Sequence, residues 1–286
     1  MPSTSIDGCS IYYEVLGQGL PIVLTPGGQA SLETVRVLAE KLASEYRVIL
    51  WDRANLGRSE VVFKGAADLD LWSDELAELL HRLDAAPAYL AGASSGSRVS
   101  YRTALRYPEV VRGLFLWLVT GGSPIAERLG QNYYGQFADL AETEGMQAVV
   151  ESTVLAGSTS WAQRVEINPA NRGRLLAMDP GEFARVLRRW QRFFRADDPV
   201  IGITADELRR ISVPTCLIAG CDESHRRDRS ELVAQLIPDV EFLDPPGFCE
   251  EWAQVSRRGP TGTMFAHIPI LPDLIRDFIN RTEARA

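Results

Sequence analysis

The chain has 286 residues, 45% of them apolar and 24% charged, which suffices to bury one large domain, or one domain with an insertion, and excludes a disordered or fibrous protein. Its 38 acidic and 30 basic residues give a formal charge of −8 without charge blocks, so no basic stripe offers itself to phosphates and nucleic acid is not expected as a partner. The start Met1-Pro2-Ser3-Thr4-Ser5 has no leader character and no apolar run approaches membrane-spanning length, so a cytoplasmic protein with no membrane partner is expected.

Short β-branched or apolar runs predict strands over 11–15, 21–24, 47–51, 88–91 and 113–119. Between them, 32–44 and 71–83 repeat apolar residues at helical spacing, the second with Leu76, Leu79, Leu80 and Leu83 on one face. Strands joined by crossover helices predict an α/β class with a mostly parallel, doubly wound sheet. About ninety residues then pass with helical periods and no convincing strand before 214–219, too long for an ordinary connection. This predicts an inserted helical cap over 123–208, on a core formed by 1–122 and 209–286. A helix over 230–236, a last strand over 240–243 and a closing helix over 271–279 complete the reading.

Cys9, Cys216, Cys221 and Cys249 form no CxxC pair and keep no zinc-like spacing from the three histidines. Reduced, mostly buried thiols and no metal site are therefore expected, with Cys221 a small packing residue.

Gly92-Ala93-Ser94-Ser95-Gly96 lies between a buried strand and a helix, the setting that a G-x-S-x-G nucleophile turn requires. The glycines let two chain segments pass closely, and the turn projects the Ser94 hydroxyl from the C-terminal edge of the sheet. Ser95 is the competing hydroxyl but is out of register with both glycines. Upstream, the strand over 21–24 runs into Thr25-Pro26-Gly27-Gly28-Gln29, a loop whose paired glycines suit a backbone that approaches substrate. Trp51-Asp52-Arg53-Ala54-Asn55-Leu56-Gly57-Arg58-Ser59 looks like a D-x-R-G-x-G-x-S segment, with Asn55 where glycine is common.

Together these segments resemble the α/β-hydrolase fold superfamily, in its serine-nucleophile branch with a helical cap, over nearly the whole chain outside the cap. The resemblance implies a Ser94 nucleophile, an oxyanion hole from the Gly28 and Ser95 N–H groups, and a triad in the chain order Ser, acid, His. No metal or organic cofactor is implied. The acid loop is Gly220-Cys221-Asp222-Glu223-Ser224-His225, which favours Asp222 over the alternative Glu223. The base departs from the pattern: most relatives carry His shortly after the last strand, where this chain reads Asp244 to Trp252 without a histidine. His267, after the last strand and before the closing helix, is the first candidate. His225, three residues from Asp222, is the second, and His81 reads as structural.

The insertion is rich in aromatics, including Tyr133, Tyr134, Trp161 and Trp190, which line an apolar pocket over Ser94 or join the cap helices to one another. Arg98 reads as a helix-surface or salt-bridge residue. The expected function is a serine hydrolase of esterase or lactonase type acting on a small apolar carbonyl compound. The alternatives are a C–C bond hydrolase for a ring-cleavage or β-diketone product, and a hydrolase-like binding protein or non-hydrolytic catalyst without a working triad. The oligomeric state is not legible.

Overall fold

A computed structural model describes residues 2–194, 197–256 and 268–285. Eight strands form one sheet in the order β1-β2-β4-β3-β5-β6-β7-β8. They are β1 (Ser3–Ile6), β2 (Cys9–Leu16), β3 (Leu20–Thr25), β4 (Tyr46–Trp51), β5 (Ala88–Ala93), β6 (Val111–Trp117), β7 (Thr215–Ile218) and β8 (Val240–Leu243). Only β1 with β2 and β2 with β4 run antiparallel; every pair from β4 to β8 is parallel. The expected doubly wound sheet is therefore present. The short edge strand β1 was not predicted, because Ser3, Thr4 and Ser5 carry no apolar alternation.

Side-chain alternation splits the core into two layers. Val23, Ile49, Leu90 and Leu114 face α2 (Asp68–Arg82) and α3 (Ser95–Arg106), where Leu76, Leu79, Leu80 and Val99 are buried. Ile22, Leu24, Val48, Tyr89 and Phe115 face the opposite layer, which contains Leu38 and Leu42 of α1 (Arg36–Leu42) and Ile275 and Phe278 of α12 (Leu271–Glu283). The predicted helix over 32–44 begins as a 3-10 turn, Leu32–Val35, before continuing as α1.

Between β6 and β7 the described residues form α4 (Ile125–Gly130), a π-helical turn (Gln131–Gly135), α5 (Gln136–Glu151), α6 (Trp161–Ile167), α7 (Ala170–Leu176), α8 (Pro180–Gln191) and α9 (Ala205–Leu208). These helices are the insertion. Trp161 and Trp190 are buried with Phe183 and with Phe63 of the core, whose ring centroid lies 4.8 Å from that of Phe183 and 5.9 Å from each tryptophan. They join the insertion to the core. After β7 come α10 (Arg227–Leu236), β8 and α11 (Phe248–Ser256), the last in a stretch that sequence left without structure. No described helix is long and apolar enough to cross a membrane.

The segment that follows β4, in which Arg53 stands directly after Asp52, is a structural brace. Asp52 accepts the Leu32 and Arg58 N–H groups at 2.7 and 2.8 Å, and Asn55 takes the left-handed conformation at φ 73°, which Asn tolerates best after Gly. Glu75, buried on α2, accepts the Ala54 N–H through Oε2 while Oε1 has no partner. Burial pushes the Glu75 carboxyl up to about 8, against the partial relief from the Ala54 N–H and from Lys64 and Arg53. The folded protein thus holds this proton more tightly than the unfolded chain, so stability is greatest below the ordinary Glu value and falls as pH rises toward 8. Glu75→Gln keeps the acceptor for Ala54 and removes the titration. Its stability relative to wild type is expected to improve by on the order of a few kcal/mol between pH 5 and pH 8.5, read as diverging melting temperatures. Parallel Tm–pH curves would refute the assignment.

Candidate active site

Strand β5 is buried at all six positions and hands directly into α3. At the junction Ser94 adopts φ 52°, ψ −114°, a conformation that costs about 1–3 kcal/mol and persists only where packing enforces it. The glycines explain the enforcement. A Cβ on Gly92 would sit 2.6 Å from the Gly96 carbonyl carbon, and one on Gly96 would strike the Thr25 carbonyl at the end of β3. The Ser94 carbonyl accepts the Ser97 hydroxyl at 2.6 Å and the Arg98 N–H at 3.2 Å, and the Ser94 N–H donates to the Trp117 carbonyl at 3.3 Å. Its buried hydroxyl lies 3.1 Å from the Thr120 hydroxyl beyond β6.

The glycine loop after β3 passes close by. Gly28 has φ +50°, its carbonyl accepts an Arg53 Nη2 hydrogen bond at 3.1 Å, and the same nitrogen reaches the Ala30 carbonyl at 3.4 Å. The neighbouring Gln29 ties the loop to the insertion: its Nε2 donates to the Tyr134 hydroxyl at 3.3 Å, and its carbonyl accepts the Thr159 hydroxyl at 3.1 Å. Tyr134 in turn donates to Asp68 Oδ2 at 2.6 Å, and Arg98 lies 3.7 Å from Asp68 Oδ1. The salt-bridge reading of Arg98 holds, but its surface placement is corrected. The side chain is buried and donates to the Ile201 carbonyl at 2.9 Å, because the insertion covers this flank of α3.

On the loop after β7, Asp222 and His225 are paired. His225 Nδ1 lies 3.0 Å from both Asp222 oxygens, Asp222 Oδ1 accepts the N–H groups of Ser224 and His225 at 2.8 and 2.7 Å, and Oδ2 accepts the Trp252 indole N–H at 2.5 Å. Burial by itself would raise the Asp222 carboxyl, but the hydrogen bond and charge of His225, with the Trp252 donor, hold it well below the usual carboxylate range. An ionised Asp222 places the proton on His225 Nδ1 when the ring is neutral. Glu223, by contrast, is 82% exposed and pairs only loosely with Arg128, at 3.9 Å. His267 lies outside the described residues. His81 sits in the last turn of α2, as read.

The expectation of four reduced thiols is overturned: Cys221 and Cys249 form a disulfide, with Cα atoms 5.2 Å apart. Cys9 and Cys216 are free and buried. The bridge ties the Asp222 loop to α11, which carries Trp252, and no local spacing rule announces a pair separated by 28 residues. Among the described residues no cluster of His, Cys, Asp or Glu is arranged to hold a metal ion.

A strained serine between strand and helix, with a glycine loop beside it and an Asp–His pair two strands along the same edge, sets the frame for comparison. The model of the alpha/beta hydrolase family matches residues 22–268. This chain belongs to the alpha/beta hydrolase family. Among alpha/beta hydrolases it is 27% identical over 247 residues to a putative carbamate hydrolase, RutD, of Azorhizobium caulinodans, covering 85% of this chain and 89% of that one. It is 26% identical over 279 residues to the 2-hydroxymuconate semialdehyde hydrolase of a Pseudomonas species, covering 94% and 90%. The enol-lactonase of Burkholderia xenovorans superposes with a TM-score of 0.62 at 19% identity, covering 98% of this chain and all of that one, a likeness of fold.

The disulfide is tested by alkylation. Denatured without reductant, the protein is expected to take up alkylating agent at Cys9 and Cys216 only, and at all four cysteines after reduction, as read by intact mass. Four labels without reductant would refute the bridge.

Proposed function

We propose that this alpha/beta hydrolase is a serine hydrolase cleaving an ester, lactone or related carbonyl bond of a small apolar substrate through a Ser94 acyl-enzyme. The observation that carries the reading is the positive-φ turn at Ser94, a strain that a merely structural serine does not require. The Asp222–His225 pair supplies the base and its orienting acid. In this reading His225 Nε2 removes the Ser94 hydroxyl proton, Oγ attacks the carbonyl carbon, and the oxyanion is held by the Gly28 and Ser95 N–H groups. The leaving alkoxide takes the proton back from the imidazolium, and a water activated by the same imidazole releases the acyl group. The helical insertion acts as the cap, and its aromatics Tyr133 and Tyr134 favour an apolar substrate, while Trp161 and Trp190 pack the insertion against Phe63.

A second reading, C–C bond hydrolysis of a ring-cleavage product, uses the same residues and is favoured by the likeness to 2-hydroxymuconate semialdehyde hydrolase over most of both chains.

A fluorophosphonate probe is expected to label wild type at Ser94 and to leave Ser94→Ala unlabelled. With a p-nitrophenyl ester, Ser94→Ala and His225→Ala are each expected to lose roughly 10³-fold or more in kcat/KM. A wild-type protein that never labels defeats the serine-hydrolase reading. Full turnover in His225→Ala, with loss in His267→Ala, moves the base to His267. Faster turnover of a dienoate ring-cleavage product than of esters and lactones selects the second reading.

A further inference from the structure

Tyr133 enters the site from the insertion, and nothing in the reaction above uses it. It sits in the π-helical turn Gln131–Gly135, where two consecutive tyrosines are both buried. A π turn inside a helical run is rare and recurs at functional sites. Tyr134 is accounted for by its bond to Asp68. The Tyr133 hydroxyl instead lies 3.8 Å from the point where a side chain on Gly28 would begin. The phenol thus stands beside Gly28, one of the two donors of the proposed oxyanion corner.

Two arginines and one carboxylate, Asp68, act on the phenol. Arg53 is wholly buried, and among the described residues its Nε and Nη1 and the Nη2 of Arg98 have no hydrogen-bond partner. Both guanidinium groups act on Tyr133 through space. Burial raises the phenol above its ordinary value, and Arg98, Arg53 and Ser95 oppose that rise. The phenol is therefore neutral at working pH, with a proton to donate that nearby positive charge makes more acidic.

We propose that Tyr133 is a third oxyanion donor, supplied to the Gly28–Ser95 corner by the insertion. The proposal rests on the serine-hydrolase reading. As the bond from Ser94 Oγ to the carbonyl carbon forms, the carbonyl π pair moves to oxygen and the serine proton goes to the base. The Tyr133 O–H donates a hydrogen bond to that oxygen and keeps its proton. When the intermediate collapses, the pair returns to re-form the carbonyl and the leaving group departs. The positive charges of Arg53 and Arg98, both buried, favour the same developing negative charge.

Tyr133→Phe removes one oxygen and keeps the ring. It is expected to lower kcat for a p-nitrophenyl ester by about 10²–10³-fold with KM little changed. Affinity for a trifluoromethyl ketone, which forms the tetrahedral adduct, should fall in parallel, while affinity for the unreactive alcohol analogue of the same inhibitor holds. A purely structural tyrosine would instead lower Tm and disturb both affinities alike. Should Tyr133→Phe fail to fold, replacement of Tyr133 by 3-fluorotyrosine, a stronger donor of nearly the same shape, is expected to shift kcat without shifting KM. Unchanged kcat in either folded variant, with wild type labelling normally at Ser94, overturns the third donor and leaves the serine-hydrolase reading standing. A wild type that does not label overturns both.

Discussion

Helix α3 presses so closely on β5 and on the end of β3 that only glycine fits at positions 92 and 96. Everything at the candidate site follows from that approach. It fixes Ser94 at a positive φ, aims the first amide of α3 across the sheet edge, and brings the Gly28 loop alongside. The strain of about 1–3 kcal/mol is small beside the burial of β5 and of the apolar face of α3, where each fully buried large side chain contributes about 1.5–3 kcal/mol. Larger side chains at 92 or 96 would separate strand from helix and release the serine into an ordinary helix start.

The flank facing the insertion is held in a different way. Asp68, Arg98, Tyr134 and Gln29 form a buried chain of polar contacts running from α2 and α3 to the glycine loop and on to Thr159. Burying charges is expensive, and such a chain persists only when most members are paired. Asp68 satisfies that condition: it accepts from the Tyr134 hydroxyl and the Leu69 N–H and faces Arg98. Apolar packing of the same volume would fill the space without dictating where Gln29 points. These directional contacts set the conformation of the loop next to Gly28, so the insertion reaches the site through the backbone of the glycine loop as well as by covering it.

The sequence displayed what depends on local rules. Strand and helix periods located the sheet, the paired glycines around Ser94 located the turn, and the G-x-x-x-x-H spacing put Asp222 and His225 on one loop. Contacts that join distant segments stayed hidden. Trp252 donates to Asp222 across 30 residues, Cys221 finds Cys249 across 28, and the stretch before Trp252 gave no helical signal strong enough to show α11 behind its prolines. Arg98 was misplaced for the same reason: its position on α3 is periodic with an outer face, and only the insertion, folded over from elsewhere in the chain, buries it. Periodicity reports a helix's own pattern and cannot report what is laid on top of it.

The acid loop gains its order from these long-range ties. A carboxylate that accepts two backbone amides, an indole and an imidazole cannot rotate without losing several charge-assisted bonds at once, each roughly twice as strong as a neutral one. The disulfide then joins the loop to the helix that carries the indole donor. Trp252, preceded by Glu250 and Glu251, commits that helix to holding the Asp222 carboxylate. The imidazole partner of the carboxylate consequently comes from the acid loop itself, three residues on, in a turn so tight that a Cβ on Gly220 would collide with the His225 carbonyl. One short loop thus holds both Asp222 and His225, and the bridge and the indole add rigidity to it.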